Sequence, residues 1–269
     1  MRSNKTQAPP NTPLVEGVDL FCGVGGLSCG LAAEGVRVVA GIDVDPACQF
    51  PYEANHKGAQ FLLRDVTTLK AEEVKAFWSP GAVRLLAGCA PCQPFSSYAN
   101  TATVDKAKWR LLREFARLVA ECGPDLVTME NVPRLQQAAP FKDFLRALKR
   151  GKYHVDYSVV NAADYGAPQQ RKRLVLVASR LGPVAVPEPT HKGPANWVTV
   201  RKAVGHLATL GDGQTSKEDP LHVASTLSDL NRARIRASKP GGTWRDWPPQ
   251  LVAACHQRES GKHSAGVYG

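Results

Sequence analysis

The sequence has no apolar run long enough to cross a membrane, and residues 1–13 are polar, with three prolines and no secretory core. Its seven cysteines are odd in number and scattered, unlike those of a small disulfide-bonded scaffold, so reduced thiols are expected. It also lacks internal repeats and low-complexity tracts. These absences predict a soluble, cytoplasmic protein with no membrane partner, in which residues 1–14 form a disordered lead-in.

Acidic residues are fewer than basic residues in this sequence. The 269 residues include 34 Lys and Arg against 24 Asp and Glu, which gives a formal net charge of +10. A basic balance of this kind favours a polyanionic partner, but many basic proteins have none, so charge alone leaves the question open. The length is enough to bury a full core in one large domain, or in one domain and a smaller unit.

Short apolar runs alternate with helical patterns from Val15 to Ser179, which predicts a mainly parallel sheet covered on both faces. The predicted strands are 18–21, 36–42, 61–63, 83–87, 126–129, 157–160 and 174–178. The predicted helices are 27–34, 106–121 and 141–148. After Gly182 the chain is rich in Gly, Pro, Thr, Lys and Trp, with one basic helical stretch at 230–237. We therefore predict a domain over 15–181 and an irregular region over 182–269.

The segment PCQPFS, residues 91–96, directly follows the fourth predicted strand. Its prolines prevent helix or strand from continuing, and the carboxyl ends of strands in open α/β sheets are where chemistry is usually placed. Cys92 therefore has the position of a nucleophile. Cys89 and Cys92 also form a CxxC pair, typical of redox couples or half of a zinc site. No second ligand pair accompanies it, and the prolines interrupt the expected helix, so no metal site is predicted.

The segment DLFCGVGG, residues 19–26, is a strand that runs into a glycine turn and a helix. Glycines let the backbone approach a ligand, and free N–H groups at a helix start favour an anionic group. The turn alone is ambiguous between a dinucleotide, S-adenosylmethionine and no ligand. Asp43 ends the next strand, where an acid can bind both ribose hydroxyls, and Asp65 is similarly placed for the adenine edge. Either acid could instead be a helix cap or a turn residue.

Two further polar groups lie beside predicted strands: Glu130 at the end of one, and Arg171 and Arg173 just before another. Glu130 ends the fifth predicted strand and should reach the same cleft as Cys92, where a partly desolvated carboxyl group can hold or deliver a proton. Glu130 could instead be a surface acid in a loop. Arg171 and Arg173 lie in an extended segment and share a face, which suits phosphate or base-carbonyl contact. By itself that segment would be interpreted as a solvated charge run.

Together and in this order, these segments resemble the DNA (cytosine-5)-methyltransferase family. The family's cofactor motif is matched by residues 19–26, its nucleophile loop by 91–96, its acidic motif by 130–132, and its Gln-x-Arg-x-Arg motif by Gln169, Arg171 and Arg173. Residues 230–247 are also similar to part of the target-recognition region of some bacterial members. The resemblance implies a Rossmann-like methyltransferase fold: a doubly wound sheet, mostly parallel with an antiparallel strand, plus a small irregular recognition region.

The resemblance also implies the reaction. A cytosine flipped out of double-stranded DNA would be methylated at carbon 5 by S-adenosylmethionine, through a covalent adduct of Cys92. The implied catalytic residues are Cys92, Glu130, Arg171 and Arg173. The implied cofactor-binding residues are Asp19, Phe21, Gly23, Gly25, Gly26, Asp43, Val44, Asp65, Val66 and Pro91. The implied substrate-binding residues are Gln93, Ser96, Asn131 and Gln169.

The resemblance further implies a monomer that acts in restriction–modification or as an orphan methylase, alongside a cognate restriction endonuclease that it does not contact. Family members continue past the recognition region with a further motif and an Asn-bearing helix. The sequence reaches Gly269 before either, so the recognition region is expected to be incomplete. Alternatives are a tRNA cytosine-5 methyltransferase and a catalytically inactive DNA-binding homologue. A nicotinamide oxidoreductase ranks last, because it leaves Cys92, Glu130 and the arginines unexplained.

Overall fold

The computed structural model describes residues 13–91 and 110–257 of the chain. These residues divide between two compact units, Met1–Ala203 and Val204–Gly269. The predicted functional boundary near residue 182 stays a prediction. No helix in the described part of the chain is long and apolar enough to cross a membrane.

The first unit is built on a seven-stranded sheet in the spatial order β3-β2-β1-β4-β5-β7-β6. Strands β1 to β5 are parallel, whereas β7 runs antiparallel to both β5 and β6. The bounds are β1 Val15–Leu20, β2 Arg37–Asp43, β3 Gln60–Leu63, β4 Val83–Gly88, β5 Leu126–Asn131, β6 His154–Asn161 and β7 Lys172–Ser179. The sheet matches the predicted arrangement of parallel strands with an antiparallel closing pair.

The strand order reverses between β1 and β4. From β1 the chain moves outward through β2 and β3, and it then returns to place β4 against the other side of β1. Connections therefore leave β1 and β4 in opposite directions, which opens a crevice at the carboxyl ends of these strands. The topology itself places a candidate site at this edge of the sheet.

Helices α1 to α5 pack on this sheet. Their bounds are α1 Gly26–Ala33, α2 Gln49–Asn55, α3 Ala71–Lys75, α4 Arg110–Cys122 and α5 Ala139–Arg150. A further short helix, α6, covers Val200–Val204. Helix α4 buries Leu112, Phe115, Leu118 and other apolar residues at helical spacing, as expected for a helix on a sheet. The ring of Phe115 packs against that of Phe144 in α5, with centroids 5.3 Å apart. Both aromatic side chains are fully buried, so they join the two helices to the core.

The second unit contains little regular structure within its described residues. Its main helix, α7, covers Asp229–Ala237 and is capped at Ser228, whose side chain accepts from the Asn231 N–H. Arg234 of α7 donates from Nε to the Leu251 carbonyl at 2.8 Å, and its guanidinium lies 5.6 Å from the Trp247 ring centroid. Polar and cation–π contacts thus organise this unit around the predicted basic helix.

Candidate active site

Two adjacent cavities open at the carboxyl edge of the sheet. The β2 cavity, of about 250 Å³, lies around the ends of β1, β2 and β3 and is lined by Phe21, Asp43, Val44, Arg64, Asp65, Val66, Cys89, Pro91 and Leu111. The β5 cavity, of about 190 Å³, lies around the ends of β4, β5 and β7 and is lined by Cys89, Ala90, Pro91, Glu130, Asn131, Val132, Arg171 and Arg173. Cys89 and Pro91 line both cavities.

The glycine turn after β1 contributes Phe21 to the wall of the β2 cavity. Phe21, Gly23 and Gly25 all have positive φ angles, of 58°, 53° and 92°. The left-handed conformation favours glycine, and a Cβ atom at Gly25 would also collide with the His56 imidazole. A Cβ atom at Gly23 or Gly26 would meet nothing within 4 Å. The turn is therefore tightly packed at Gly25 and open at Gly23 and Gly26, where a ligand can approach the backbone.

Asp43 connects this turn to the end of β2. Its Oδ2 accepts a hydrogen bond from the Gly23 N–H at 2.9 Å. Its Oδ1 accepts from the N–H groups of Val44 and Asp45 at 2.8 and 3.0 Å. Asp43 lines the β2 cavity, as its predicted contact with a ribose requires, but the contact itself stays a prediction. The structure adds a second role, because the carboxylate fixes the position of the turn.

Asp19 lies behind the turn and is not among the residues that line the β2 cavity. It is 1% exposed, and its Oδ2 accepts from the Ser28 hydroxyl at 2.8 Å. The Ser28 hydroxyl is also 3.0 Å from the Tyr52 hydroxyl. Burial raises the pKa of Asp19 to about 6, against the lowering effect of the Ser28 hydrogen bonds. Asp19 therefore anchors helix α1 to β1, and the predicted cofactor contact of Asp19 stays a prediction.

Asp65 and Val66 come after β3 and complete the wall of the β2 cavity. The Asp65 carboxylate accepts from the Thr67 N–H at 2.8 Å, and hydrogen bonds with Thr67 lower the pKa of Asp65. Asp65 is therefore ionised at neutral pH. Val66 is 3% exposed and packs in the core, whereas Val44 on the opposite side is exposed. The cavity thus combines apolar walls with two carboxylates.

The β5 cavity contains the predicted acid and both predicted arginines. Glu130 Oε1 lies 2.7 Å from Arg173 Nε, and the two side chains are 33% and 23% exposed. The strand register explains this contact, because Glu130 pairs with Val175, which shares a face of β7 with Arg173. Arg171 lines the same cavity, and its N–H donates to Asn161 Oδ1 at 3.0 Å. The cavity therefore offers one carboxylate and two guanidinium groups to a polar ligand.

Asn131 uses its side chain to hold the chain at Ala90, just before residues 91–96. Its Nδ2 donates to the Ala90 carbonyl at 2.8 Å, and its Oδ1 accepts from the Val132 N–H at 2.9 Å. The residue is 5% exposed. Its predicted substrate contact stays a prediction, and the observed bonds indicate a positioning role for the chain that leads into residues 91–96.

Three predicted residues, Cys92, Gln93 and Ser96, lie outside the described residues. Pro91, which immediately precedes Cys92, lines both cavities. Gln169 is exposed in the segment that leads into β7. Of the groups of His, Cys, Asp and Glu in the described part of the chain, none has three or more members placed to hold a metal ion.

Cys89, Arg64, Leu111 and Val132 also line the cavities, although no sequence pattern predicts a site role for them. In the sequence, Cys89 stands out only as half of a CxxC pair. Its position in both cavities depends on β4 lying between β1 and β5, and no local pattern in the sequence specifies that lateral order.

The family model for C-5 cytosine-specific DNA methylases matches residues 15–264. The chain belongs to this family. The methylase is 46% identical over 255 residues to the Type II methylase M.HgiDII of Herpetosiphon aurantiacus, a match that covers 94% of this chain and 71% of that protein. It is 34% identical to the Type II methyltransferase M.XorII of Xanthomonas oryzae pv. oryzae, over 71% of this chain and 46% of the relative. It is 31% identical to the Type II methyltransferase M1.HphI of Haemophilus parahaemolyticus, over 87% of this chain and 63% of the relative.

Solved structures show that the methylase shares its fold with other methyltransferases. A prophage-encoded DNA modification methyltransferase from E. coli superposes with a TM-score of 0.65 at 24% identity, over 85% of this chain and 76% of that one. The Dnmt2 methyltransferase of S. pombe superposes with a TM-score of 0.53 at 20% identity, over 64% of this chain and 52% of that one. The predicted fold class and the predicted family, with its enzyme class of DNA (cytosine-5-)-methyltransferase, are confirmed.

Proposed function

We propose that this methylase transfers a methyl group from S-adenosylmethionine to carbon 5 of a flipped-out cytosine in double-stranded DNA, as part of restriction–modification. The observation that carries the proposal is the pair of cavities that meet at Cys89 and Pro91. One is lined by Phe21 of the glycine turn and by two carboxylates, and the other is lined by Glu130 with Arg171 and Arg173. A methyl donor and a base bound in neighbouring cavities would meet at their shared wall.

The β2 cavity has the chemistry that a nucleoside cofactor requires. Phe21, Val44 and Val66 offer apolar surface to an adenine ring, and Asp43 and Asp65 offer acceptors to ribose hydroxyls and the adenine amino group. The open space at Gly23 and Gly26 allows a ligand to approach the backbone closely. S-adenosylmethionine, when bound, supplies a methyl group activated on a sulfonium centre. These features fit that cofactor.

The β5 cavity has the chemistry that a cytosine requires. A base in the duplex is inaccessible to an enzyme that acts on its ring, so the target must leave the stack. In the proposed complex, the Glu130 carboxyl group binds the exocyclic amino group and ring nitrogen 3. Arg173 binds the carbonyl oxygen, and Arg171 is placed for the loop or a phosphate. The contact between Glu130 and Arg173 holds both groups ready before the base arrives.

In the proposed reaction, the Cys92 thiolate adds to carbon 6 of the base, and a carbon–sulfur bond forms. The electron pair of the 5,6 double bond moves into the ring and makes carbon 5 nucleophilic, while a proton from the Glu130 carboxyl group at ring nitrogen 3 neutralises the negative charge. After methylation at carbon 5, that carbon loses its proton to water or another base. The electron pair left behind re-forms the 5,6 double bond as the carbon–sulfur bond at carbon 6 breaks, which returns the Cys92 thiolate and regenerates the enzyme.

Basic residues provide the remaining support for a DNA substrate. The excess of ten positive charges favours binding to phosphates, whose contacts fix position rather than sequence. The recognition region, proposed for residues 182–269, includes the basic helix α7. A cytoplasmic location, a monomeric state and a companion restriction endonuclease without direct contact are further parts of this proposal.

The test is transfer of labelled methyl groups from S-adenosylmethionine to unmethylated genomic DNA, with tRNA as a second substrate. Cys92→Ser is expected to abolish label transfer and to leave DNA affinity within a few-fold, because a hydroxyl is a much weaker nucleophile than a thiolate. Cys29→Ser, a change at an exposed cysteine of α1, is the matched control and should remain active.

A second measurement addresses the covalent step directly. Duplex DNA with 5-fluorocytosine at the target lacks the proton that must leave carbon 5, so the Cys92 adduct should accumulate and survive denaturation. Label in tRNA alone would support the tRNA cytosine-5 methyltransferase instead. DNA binding with neither label nor adduct would support the inactive DNA-binding homologue.

A further inference from the structure

Cys89 lies beside Glu130 at the point where the strand order reverses. The parallel register pairs Gly88 of β4 with Met129 of β5, so the next residues, Cys89 and Glu130, are level across the two strands. The Cys89 N–H donates to the Leu20 carbonyl at 3.3 Å, which ties it to β1 on the other side. The backbone of Cys89 is therefore hydrogen-bonded to β1, and it continues the register of β4 beside β5.

The Cys89 side chain forms part of the wall between the two cavities. Together with Pro91 it lines both the β2 cavity and the β5 cavity, and it is half-buried. In a parallel pair, level residues point to the same face of the sheet. The thiol of Cys89 and the carboxyl group of Glu130 therefore project from the same face, next to the space proposed for the base.

The electrostatic environment keeps the Cys89 thiol protonated. Burial, followed by the negative charges of Glu130 and Asp19, raises the pKa of Cys89 to about 12. A hydrogen bond with the Glu130 backbone lowers this pKa, and a smaller contribution from a hydrogen bond with the Glu130 side chain raises it. At neutral pH the group is thus a neutral S–H donor next to a carboxylate. It is suited to hold a carboxylate and unsuited to act as a nucleophile.

Glu130 consequently has a partner on each side within the described residues. Arg173 of β7 contacts Oε1 through Nε at 2.7 Å, and Cys89 approaches from the β4 side. A carboxyl group rotates broadly about its last side-chain torsion, and a single partner limits that rotation incompletely. Two partners from opposite neighbouring strands define its plane.

We propose that Cys89 is a positioning residue whose S–H group orients the Glu130 carboxyl group toward the target base. This inference rests on the proposed function, because it takes the β5 cavity as the base site. Cys89 does not itself bond to the reacting atoms. Its contribution is to hold Glu130 in the orientation that stabilises charge during addition to the base.

The test compares Cys89→Ala, which removes the donor, with Cys89→Ser, which restores a donor of smaller size. Cys89→Ala should lower kcat, and the rate of adduct formation with 5-fluorocytosine DNA, by about 10-fold, the effect of losing one hydrogen bond of ordinary strength. Affinity for S-adenosylmethionine should stay within about 2-fold, since the cofactor contacts remain, and Cys89→Ser should recover most of kcat. Cys29→Ala is the control.

An infrared measurement tests the contact itself, independent of activity. The S–H stretching band of Cys89, isolated as the difference between wild type and Cys89→Ala, should lie at the low frequency of a hydrogen-bonded thiol and should shift in Glu130→Gln. A band that does not respond to Glu130→Gln would overturn the proposal even in a protein that transfers no methyl groups. Loss of methyl transfer by the wild type would instead count against the proposed function.

Two kinetic results would also overturn it. One is a kcat for Cys89→Ala within 2-fold of wild type. The other is an equal loss of kcat in Cys89→Ala and Cys89→Ser, together with weaker binding of S-adenosylmethionine in both. That result would show that the thiol only packs the wall of the β2 cavity.

Discussion

Glu130 and Arg173 are diagonal neighbours on one face of the antiparallel β5–β7 pair, with Oε1 and Nε 2.7 Å apart. The antiparallel strand thus delivers a cation to the carboxyl edge of an otherwise parallel sheet. A parallel strand at this place would present a different residue there. The arrangement gives the β5 cavity opposite charges that are already paired, so each can exchange its partner for a polar group of the ligand.

Replacement of Arg173 tests this relationship. Arg173→Lys keeps the charge but loses the planar fork that contacts a carboxylate and a carbonyl together. We expect kcat/KM to fall by roughly 10²-fold, the usual effect of losing one preorganised donor, while cofactor affinity is unchanged. Arg146→Lys, a change at an exposed helix residue paired with Asp143, is the control for steady-state kinetics. Equal kinetics of the two variants would remove Arg173 from the mechanism.

Asp43→Ala should weaken S-adenosylmethionine binding by roughly 1–3 kcal/mol, because it removes acceptors from three backbone N–H groups and a carboxylate from the β2 cavity. Isothermal calorimetry measures this change. Asp45→Ala is a suitable control, because Asp45 accepts only a neighbouring N–H, that of Ala47. Unchanged affinity in Asp43→Ala would place the ribose contact on another residue.

The buried Asp19 predicts a pH-dependent contribution to stability. Its pKa rises from 3.8 to about 6 in the folded state, so the folded protein binds this proton more tightly than the unfolded chain. Stability from this group is therefore complete below about pH 4 and is lost as pH rises through 6. The loss is on the order of 3 kcal/mol, from about two pKa units at 1.36 kcal/mol each.

Asp19→Asn provides the comparison, because asparagine keeps the shape and removes the titration. Urea unfolding of both proteins is measured between pH 4 and 7.5. The free energy of unfolding of the wild type, relative to that of Asp19→Asn, should decrease as pH rises. A difference that is constant over this range would show that Asp19 does not titrate with a raised pKa.

The sequence was sufficient to locate residues that follow strand ends. The carboxyl ends of neighbouring strands predict that Asp43 and Glu130 share one edge, and each lines one of the two cavities there, whereas Arg173 is assigned to the site only through the family resemblance. The ends of the strands could be predicted less accurately from the sequence. The strand predicted over 126–129 extends to Asn131, because pairing with β7 continues through Glu130 and Asn131. Such pairing depends on residues about fifty positions away and leaves no local signal.

Side-chain contacts between different helices and strands likewise could not be predicted from the sequence. The Ser28 hydroxyl joins Asp19 to Tyr52, and Gly41 makes room for the Tyr52 ring, because a Cβ atom there would collide with it. These contacts depend on how α1 and α2 pack against β1 and β2. A motif identifies the turn as a ligand site, but the packing behind the turn determines how rigidly it is held.

Gly25→Ala tests that rigidity. Alanine at this position must adopt φ near +92° and would place its Cβ against the His56 imidazole, so the turn must shift. We expect S-adenosylmethionine affinity to fall at least about 10-fold and stability to fall by about 1 kcal/mol or more. Gly30→Ala, in α1, meets nothing within 4 Å and should leave cofactor binding unchanged while stabilising the helix. Calorimetric cofactor titration and thermal unfolding of both variants make the comparison. Similar cofactor affinity in the two would mean that the left-handed turn at Gly25 is dispensable for binding.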